Sequence, residues 1–286
     1  MNETVPPISS PVGLIAGGGT LPFAIADSLI ARGIVPVIFG LKGFCDPERV
    51  KTYRHHWIAV GQLGKNGRLF SSENCRDLVF IGGLVRPAIS EVRLDWTTLR
   101  AIPEIVRAFR GGDNHLLSHV ARLIERQGFR MRGVAEVAPD LLMPEGSITR
   151  RKADDEQTRA DVAKGRGVLR ALSPFDTGQA AVVIDGHVVA VEDIEGTDAL
   201  LARVVRLRIA GRVRARPGRG VLVKAPKTTQ DLRFDLPALG VKTVEGVAAA
   251  QLAGIAIVAG QTILAEPQAL VEAADKADVF VIGMPA

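Results

Sequence analysis

The chain has 286 residues, long for one hydrophobic core and natural for two domains. Hydrophobic residues make up 47% and charged residues 23%, which fits a folded globular protein and excludes a disordered one. Two cysteines, Cys45 and Cys75, make a disulfide framework or zinc knuckle improbable, while a net charge of +5 suits anionic ligands. The sequence has one tyrosine and no RNA-binding aromatic motif, zinc finger or basic zipper pattern, so a nucleic-acid partner is not expected. No secretory signal and no run of about 18 uncharged apolar residues is read, which points to a cytoplasmic protein.

In chain order, "VGLIAG" (12–17) predicts a buried strand running into glycines, and "LPFAIADSLIARG" (21–33) a helix that stops at Gly33. Further strands are predicted at 34–41, 54–61 and 77–84, with a short helix over 66–74. Strands alternating with helices argue for a parallel, doubly wound sheet. Two helices are predicted next, over 99–112 and 113–128, with Asp113 as N-cap of the second. The texture then changes, and a second α/β domain is expected from about residue 140. It holds a helix at 159–172 and an Asp-Gly hairpin over 179–192. A helix at 197–207 and strands at 220–226, 254–260 and 279–283 follow, with helices at 245–254 and 267–277 among them.

The loop "GLIAGGGTLP" (13–22) tests a dinucleotide reading. Gly17 and Gly19 match the first two glycines of G-x-G-x-x-G, but Pro22 takes the third place. No acid ends the second strand to hold a ribose, and no Walker lysine follows, so an NAD-linked oxidoreductase is disfavoured. The physics of the loop survives the failed motif: glycines permit close approach by a ligand, and the helix starting at Leu21 offers N–H groups to an anion. A tight strand-to-helix turn with nothing bound is the plain alternative.

Other polar clusters need a reason. "GGDNHLL" (111–117) reads first as a helix stop followed by a helix start, and His115 and His119 as ordinary helix histidines. In "VEDIEGTDALL" (191–201), one reading is simple capping of a helix by Thr197 or Asp198; the other is that Glu192, Glu195 and Asp198 hold a hard cation. "LVKAPKTTQDLRFDLPALG" (222–240) is the densest stretch. Lys224 ends an apolar strand, and Lys227, Arg233, Asp231 and Asp235 follow within about a dozen residues. Two basic groups suit a pyrophosphate and the acids suit a Mg²⁺ between its oxygens, with a surface loop of ion pairs as the alternative. The arginines of 203–220 read mostly as a solvated face.

Taken in order, "GLIAGGGTLP", "FIGGLVRP" (80–87), "GGDNHLL", "DTGQAAVV" (176–183), "AVEDIEGTDALL" (190–201) and "LVKAPKTTQDLRFDLPALG" form a specific set. The chain resembles the LpxI-type UDP-2,3-diacylglucosamine pyrophosphatases of lipid A synthesis. The resemblance implies two α/β domains with the substrate between them: a Rossmann-like domain with a parallel sheet (1–140) and a catalytic domain (141–286). It implies hydrolysis of UDP-2,3-diacylglucosamine to UMP and 2,3-diacylglucosamine 1-phosphate, by attack on the sugar-side phosphorus. Mg²⁺, or Mn²⁺, is the implied cofactor. On this resemblance Asp235 is the essential acid; the residues themselves agree, with Asp235 expected to hold the metal or orient water and Lys224 and Asp198 also expected to be catalytic. Glu192 and Glu195 would join Asp235 as metal ligands. Substrate contacts are expected from Gly17, Gly18, Gly19, Thr20, Leu21, Gly82, Gly83, Arg86, Asp113, Gln179, Thr197 and Lys227. A homodimer and peripheral contact with the cytoplasmic face of the inner membrane are also implied. A carrier that binds a nucleotide-sugar lipid without cleaving it is the rival reading.

Overall fold

A computed structural model describes residues 7–84, 94–101, 113–228, 231–234 and 236–286, the side chains of 113–116 excepted. The chain divides into two compact units: residues up to Asp140 together with the short segment that begins at Asp231, and the remainder from Leu141.

The first unit opens with β1 (Val12–Ala16), every residue of which is buried. That unbroken apolar run fits a strand covered on both faces. It is followed by α1 (Leu21–Ala31), β2 (Pro36–Leu41), β3 (His55–Ile58), α2 (Leu63–Ser72), β4 (Asp77–Ile81), α3 (Asp113–Glu125) and β5 (Arg130–Met131). The five strands pair in parallel in the order β3-β2-β1-β4-β5. The order reverses between β1 and β4, and in such sheets the crevice for ligands opens beyond the carboxyl ends of those strands. Phe39, Phe70 and Phe129 fill one face of the sheet, with ring centroids 4.6 Å and 5.6 Å apart in edge-to-face contacts. The predicted helix over 99–112 is described only through residue 101, where it is helical; the rest lies outside the described residues.

A buried charge knot ties this sheet to its flanks. Asp77, at the start of β4, is fully buried. Its carboxylate accepts from the Ser9 N–H and hydroxyl at 2.7 Å each, and from Arg130 and Arg132 at 2.8 Å. Arg132 also pairs with Glu136 at 2.7 Å.

The second unit contains β6 (Gly146–Ser147), α4 (Glu156–Leu172), β7 (Ala180–Ile184), β8 (His187–Val191), α5 (Gly196–Ile209) and β9 (Val221–Lys224). It continues with β10 (Ala238–Leu239), α6 (Val241–Ala249), β11 (Gly254–Val258), β12 (Ile263–Leu264), α7 (Pro267–Lys276) and β13 (Phe280–Met284). Six strands form a mixed sheet in the order β6-β13-β11-β9-β7-β8, and β10 pairs with β12 apart from it. β13, β11 and β9 are parallel, whereas β7 runs against both β9 and β8. Alternate residues face opposite sides. Val182, Leu222, Ile255 and Val281 pack with Leu200, Val204, Val244 and Leu270 of α5, α6 and α7, while Ala181, Val221, Val223 and Ala256 pack with Leu169 of α4.

The predicted hairpin is present, with Asp185 and Gly186 at φ 48° and 79°. Asp161 holds this turn from α4, accepting from the Asp185 N–H at 2.9 Å and the Gly186 N–H at 2.7 Å. The carboxyl ends of β9, β11 and β13 lie on one edge, since Lys224 is level with Ile257 and Val258 with Met284.

Candidate functional site

In the first unit the glycine loops meet at the switch point. The turn after β1 and the turn after β4 are bridged, with Gly18 N–H donating to the Gly83 carbonyl at 2.8 Å and Gly83 N–H returning to Gly18 at 2.9 Å. A side chain on Gly17 would lie 2.5 Å from the Gly83 oxygen, and one on Gly82 2.7 Å from the Gly18 oxygen. Gly82 also has a φ of 95°, so glycine is required there twice over. The close approach read from the sequence is therefore made, in part, by one loop to the other. Gly19 differs: its φ is 91° and nothing lies within 4 Å of where a Cβ would stand. Thr20 precedes α1 without capping it through its side chain, and Leu21 opens the helix with Pro22 behind it. The helix thus presents an N-terminus with no side-chain cap beside a glycine that faces open space. Arg86 lies outside the described residues, as does the side chain of Asp113.

In the second unit a polar chain is built at the edge where β9 ends. Lys224 is the last residue of β9 and only 7% exposed. Its ammonium donates to the Thr197 hydroxyl at 3.0 Å and to the Ala238 carbonyl at 3.3 Å. Thr197, in the first turn of α5, donates in turn to Glu192 Oε1 at 2.6 Å. Glu192 Oε2 accepts from the Gln179 N–H at 2.6 Å. Gly178 makes room for this: a Cβ there would stand 2.4 Å from Glu192 Cβ. Burial pushes the Lys224 ammonium below the usual lysine range, and the charges of Glu192 and Asp198 oppose that push.

The other predicted residues are placed differently. Asp198 is exposed and ion-paired with Lys242 at 2.6 Å. Lys227 meets Asp176 at 2.5 Å. Glu195 is exposed at the start of α5. Arg233, which the sequence reading grouped with the lysines, belongs with the first unit: it pairs with Asp231 at 2.9 Å and Glu125 at 3.2 Å and lies over the Phe234 ring. Asp235 lies outside the described residues. Among the described residues no group of three or more His, Cys, Asp or Glu side chains is placed to hold a metal ion. Neither cysteine is poised as a nucleophile, because both are buried and burial raises their thiols, that of Cys75 to about 12.

With this geometry in place, comparison with known proteins is decisive. Residues 11–141 match the family model of the LpxI N-terminal domain, and residues 144–282 match that of the LpxI C-terminal domain. The chain belongs to the LpxI family. The UDP-2,3-diacylglucosamine pyrophosphatase LpxI of Caulobacter vibrioides is 38% identical over 273 residues, covering 96% of this chain and 97% of that relative. Both LpxI domain models are therefore represented, and the break between them falls beside the break between the two compact units. A solved biotin carboxylase domain of the Hydrogenobacter thermophilus 2-oxoglutarate carboxylase covers 68% of this LpxI chain and 41% of its own at 12% identity. Its TM-score of 0.24 is too low for it to inform the fold or the function.

Sequence reasoning named Lys224, Thr197, Glu192 and Gln179 but did not connect them in a hydrogen-bonded chain. It missed the Ala238 carbonyl, the supporting Gly178 and the Lys242 partner of Asp198. The glycine in "DTGQ" was a readable signal for a close backbone approach.

Proposed function

We propose that this chain hydrolyses the pyrophosphate of UDP-2,3-diacylglucosamine, consuming water and giving UMP and 2,3-diacylglucosamine 1-phosphate, a step of lipid A synthesis. One observation carries the reading: the 38% identity to a relative bearing that activity in its name, over nearly the full length of both chains.

The side chains support this chemistry. Pyrophosphate cleavage needs negative charge neutralised on the phosphate oxygens and a water placed in line. Lys224 is a cation held at a strand end, with two of its N–H bonds fixed by Thr197 and Ala238. Its remaining N–H is the group we assign to a phosphate oxygen. Lys227, beside Asp176, is a second phosphate contact. In the first unit, the start of α1 beside Gly19 offers backbone N–H groups to an anion. Asp235 is assigned to orient the attacking water, on its place in the "DLP" element of the family resemblance.

A divalent cation, Mg²⁺ or Mn²⁺, is part of the proposal on the same resemblance, and when bound it would neutralise phosphate charge. The described residues do not by themselves make a site for it, because Glu192 binds protein donors through both oxygens and Glu195 stands apart in solvent.

Peripheral contact with the cytoplasmic face of the inner membrane completes the proposal. No helix among the described residues is long and apolar enough to cross a membrane. Ile209, 82% exposed at the end of α5, has the exposed Arg206, Arg212, Arg214 and Arg216 close to it in sequence, a composition suited to an anionic lipid surface. A homodimer is expected on the family resemblance, and sedimentation tests it.

The purified chain, given UDP-2,3-diacylglucosamine in mixed micelles, should release UMP over many turnovers. Tight binding of the lipid with no UMP would make the protein a carrier and refute the proposal.

A further inference from the structure

We propose that Glu192 is a positioning carboxylate: acting through the Thr197 hydroxyl, it orders the Lys224 ammonium and turns its third N–H toward a phosphate oxygen. This rests on the phosphate role given to Lys224 above and gives Glu192 a different task from the metal ligation expected of it.

The argument is one of donors and acceptors. A lysine ammonium has three N–H donors, while a threonine hydroxyl has one donor and two lone pairs. The Thr197 hydrogen goes to Glu192 Oε1, at the 2.6 Å distance of a charge-assisted bond. A lone pair of the Thr197 oxygen is then left for Lys224, which donates to it at 3.0 Å. The Ala238 carbonyl takes a second N–H at 3.3 Å. Two fixed acceptors stop the ammonium from rotating, and the third N–H meets no acceptor among the described residues. Glu192 is itself fixed, because its second oxygen is held by the Gln179 N–H and its Cβ is packed against Gly178.

The one bond in this chain whose direction can reverse is therefore set by Glu192: its carboxylate only accepts, so the Thr197 proton points to it and a Thr197 lone pair faces the ammonium. An amide in its place would have to turn its oxygen to the Gln179 N–H. Its NH₂ would then face Thr197, whose proton would be left pointing toward the lysine.

The test uses Glu192→Gln, Thr197→Val, Thr197→Ser and the double variant E192Q/T197V in the full chain. Glu192→Gln and Thr197→Val should each lower kcat by at least about tenfold with a smaller change in KM. Thr197→Ser, which restores the hydroxyl, should recover most of the loss seen with Thr197→Val. The double variant should be no slower than the slower single, because both changes break one chain. A second readout needs no turnover: the slowly exchanging Nζ signal of Lys224 in ¹⁵N-lysine NMR, assigned with Lys224→Met. It should broaden or vanish in Glu192→Gln and Thr197→Val and persist in Thr197→Ser. Wild-type kcat and an unchanged signal in Glu192→Gln would overturn the proposal, even if Thr197→Val fails to fold. A wild-type chain that releases no UMP would refute the proposed function alone, with the NMR signal still deciding the role of Glu192.

Discussion

Asp77→Asn should unfold the first unit at a much lower temperature without touching the polar chain around Lys224. The carboxylate of Asp77 is fully buried and accepts five hydrogen bonds, two from Ser9, two from Arg130 and one from Arg132. Arg132 is itself only 4% exposed, so it cannot turn to water for compensation. An amide of the same shape keeps one acceptor oxygen and points an NH₂ at donors that need acceptors. Breaking a buried ion pair in this way costs about 3–5 kcal/mol. At roughly 2–4 °C per kcal/mol for a unit of this size, the melting temperature should fall by roughly 6–20 °C.

The pH dependence fixes the sign. Burial raises the Asp77 carboxyl, but the bonds from Ser9, Arg132 and Arg130 outweigh it and hold the group below the usual carboxylate range. Its folded pKa thus lies below the unfolded value of about 3.9. The stabilisation is complete above that unfolded value and is lost as pH falls through the folded one. Denaturant melts of wild type and Asp77→Asn should differ fully at neutral pH and converge in acid. A neutral-pH difference under about 1 kcal/mol, or a gap that widens in acid, would refute the reasoning.

Three further outcomes are expected. Lys224→Met should lower kcat by about 10²–10³, the usual loss on removing one donor from a developing oxyanion, while the melting temperature moves little because a desolvated charge is also removed; steady-state UMP release with a thermal melt checks both. Gly82→Ala should destabilise the first unit and weaken substrate binding, since its Cβ would meet the Gly18 oxygen at 2.7 Å from a backbone with φ of 95°; calorimetry with UMP measures the binding loss. Chelation with EDTA should stop turnover, and added Mg²⁺ or Mn²⁺ should restore it; full activity in EDTA would remove the cation from the proposal.

The fold was legible where one local signal sufficed. "VGLIAG" announced a buried strand, and Asp185-Gly186 announced the hairpin through its turn chemistry. Helix starts were read less well. α6 begins at Val241 and not at Glu245, because Gly240 precedes it with no side-chain cap to mark the place. The mixed second sheet was not announced either, since strand direction depends on pairing and not on composition. At the candidate site, residue types were legible and partnerships were not. One partner of Lys224 is 27 residues away at Thr197, and one partner of Arg233 is 108 residues away at Glu125. The charges of 222–240 look like one cluster in sequence, yet the fold sends Lys224 and Arg233 to different units. Gly17 and Gly82 read as ligand-facing, whereas their missing side chains are first of all what lets two loops touch.

The most direct measurement of the central claim is a product balance from UDP-2,3-diacylglucosamine, with wild type beside Asp235→Ala. The account predicts UMP and 2,3-diacylglucosamine 1-phosphate in equal amounts from the wild type, and neither from a variant that still folds and binds UMP. Equal product formation by both proteins would contradict the role given to Asp235, and no product from the wild type would contradict the reaction itself.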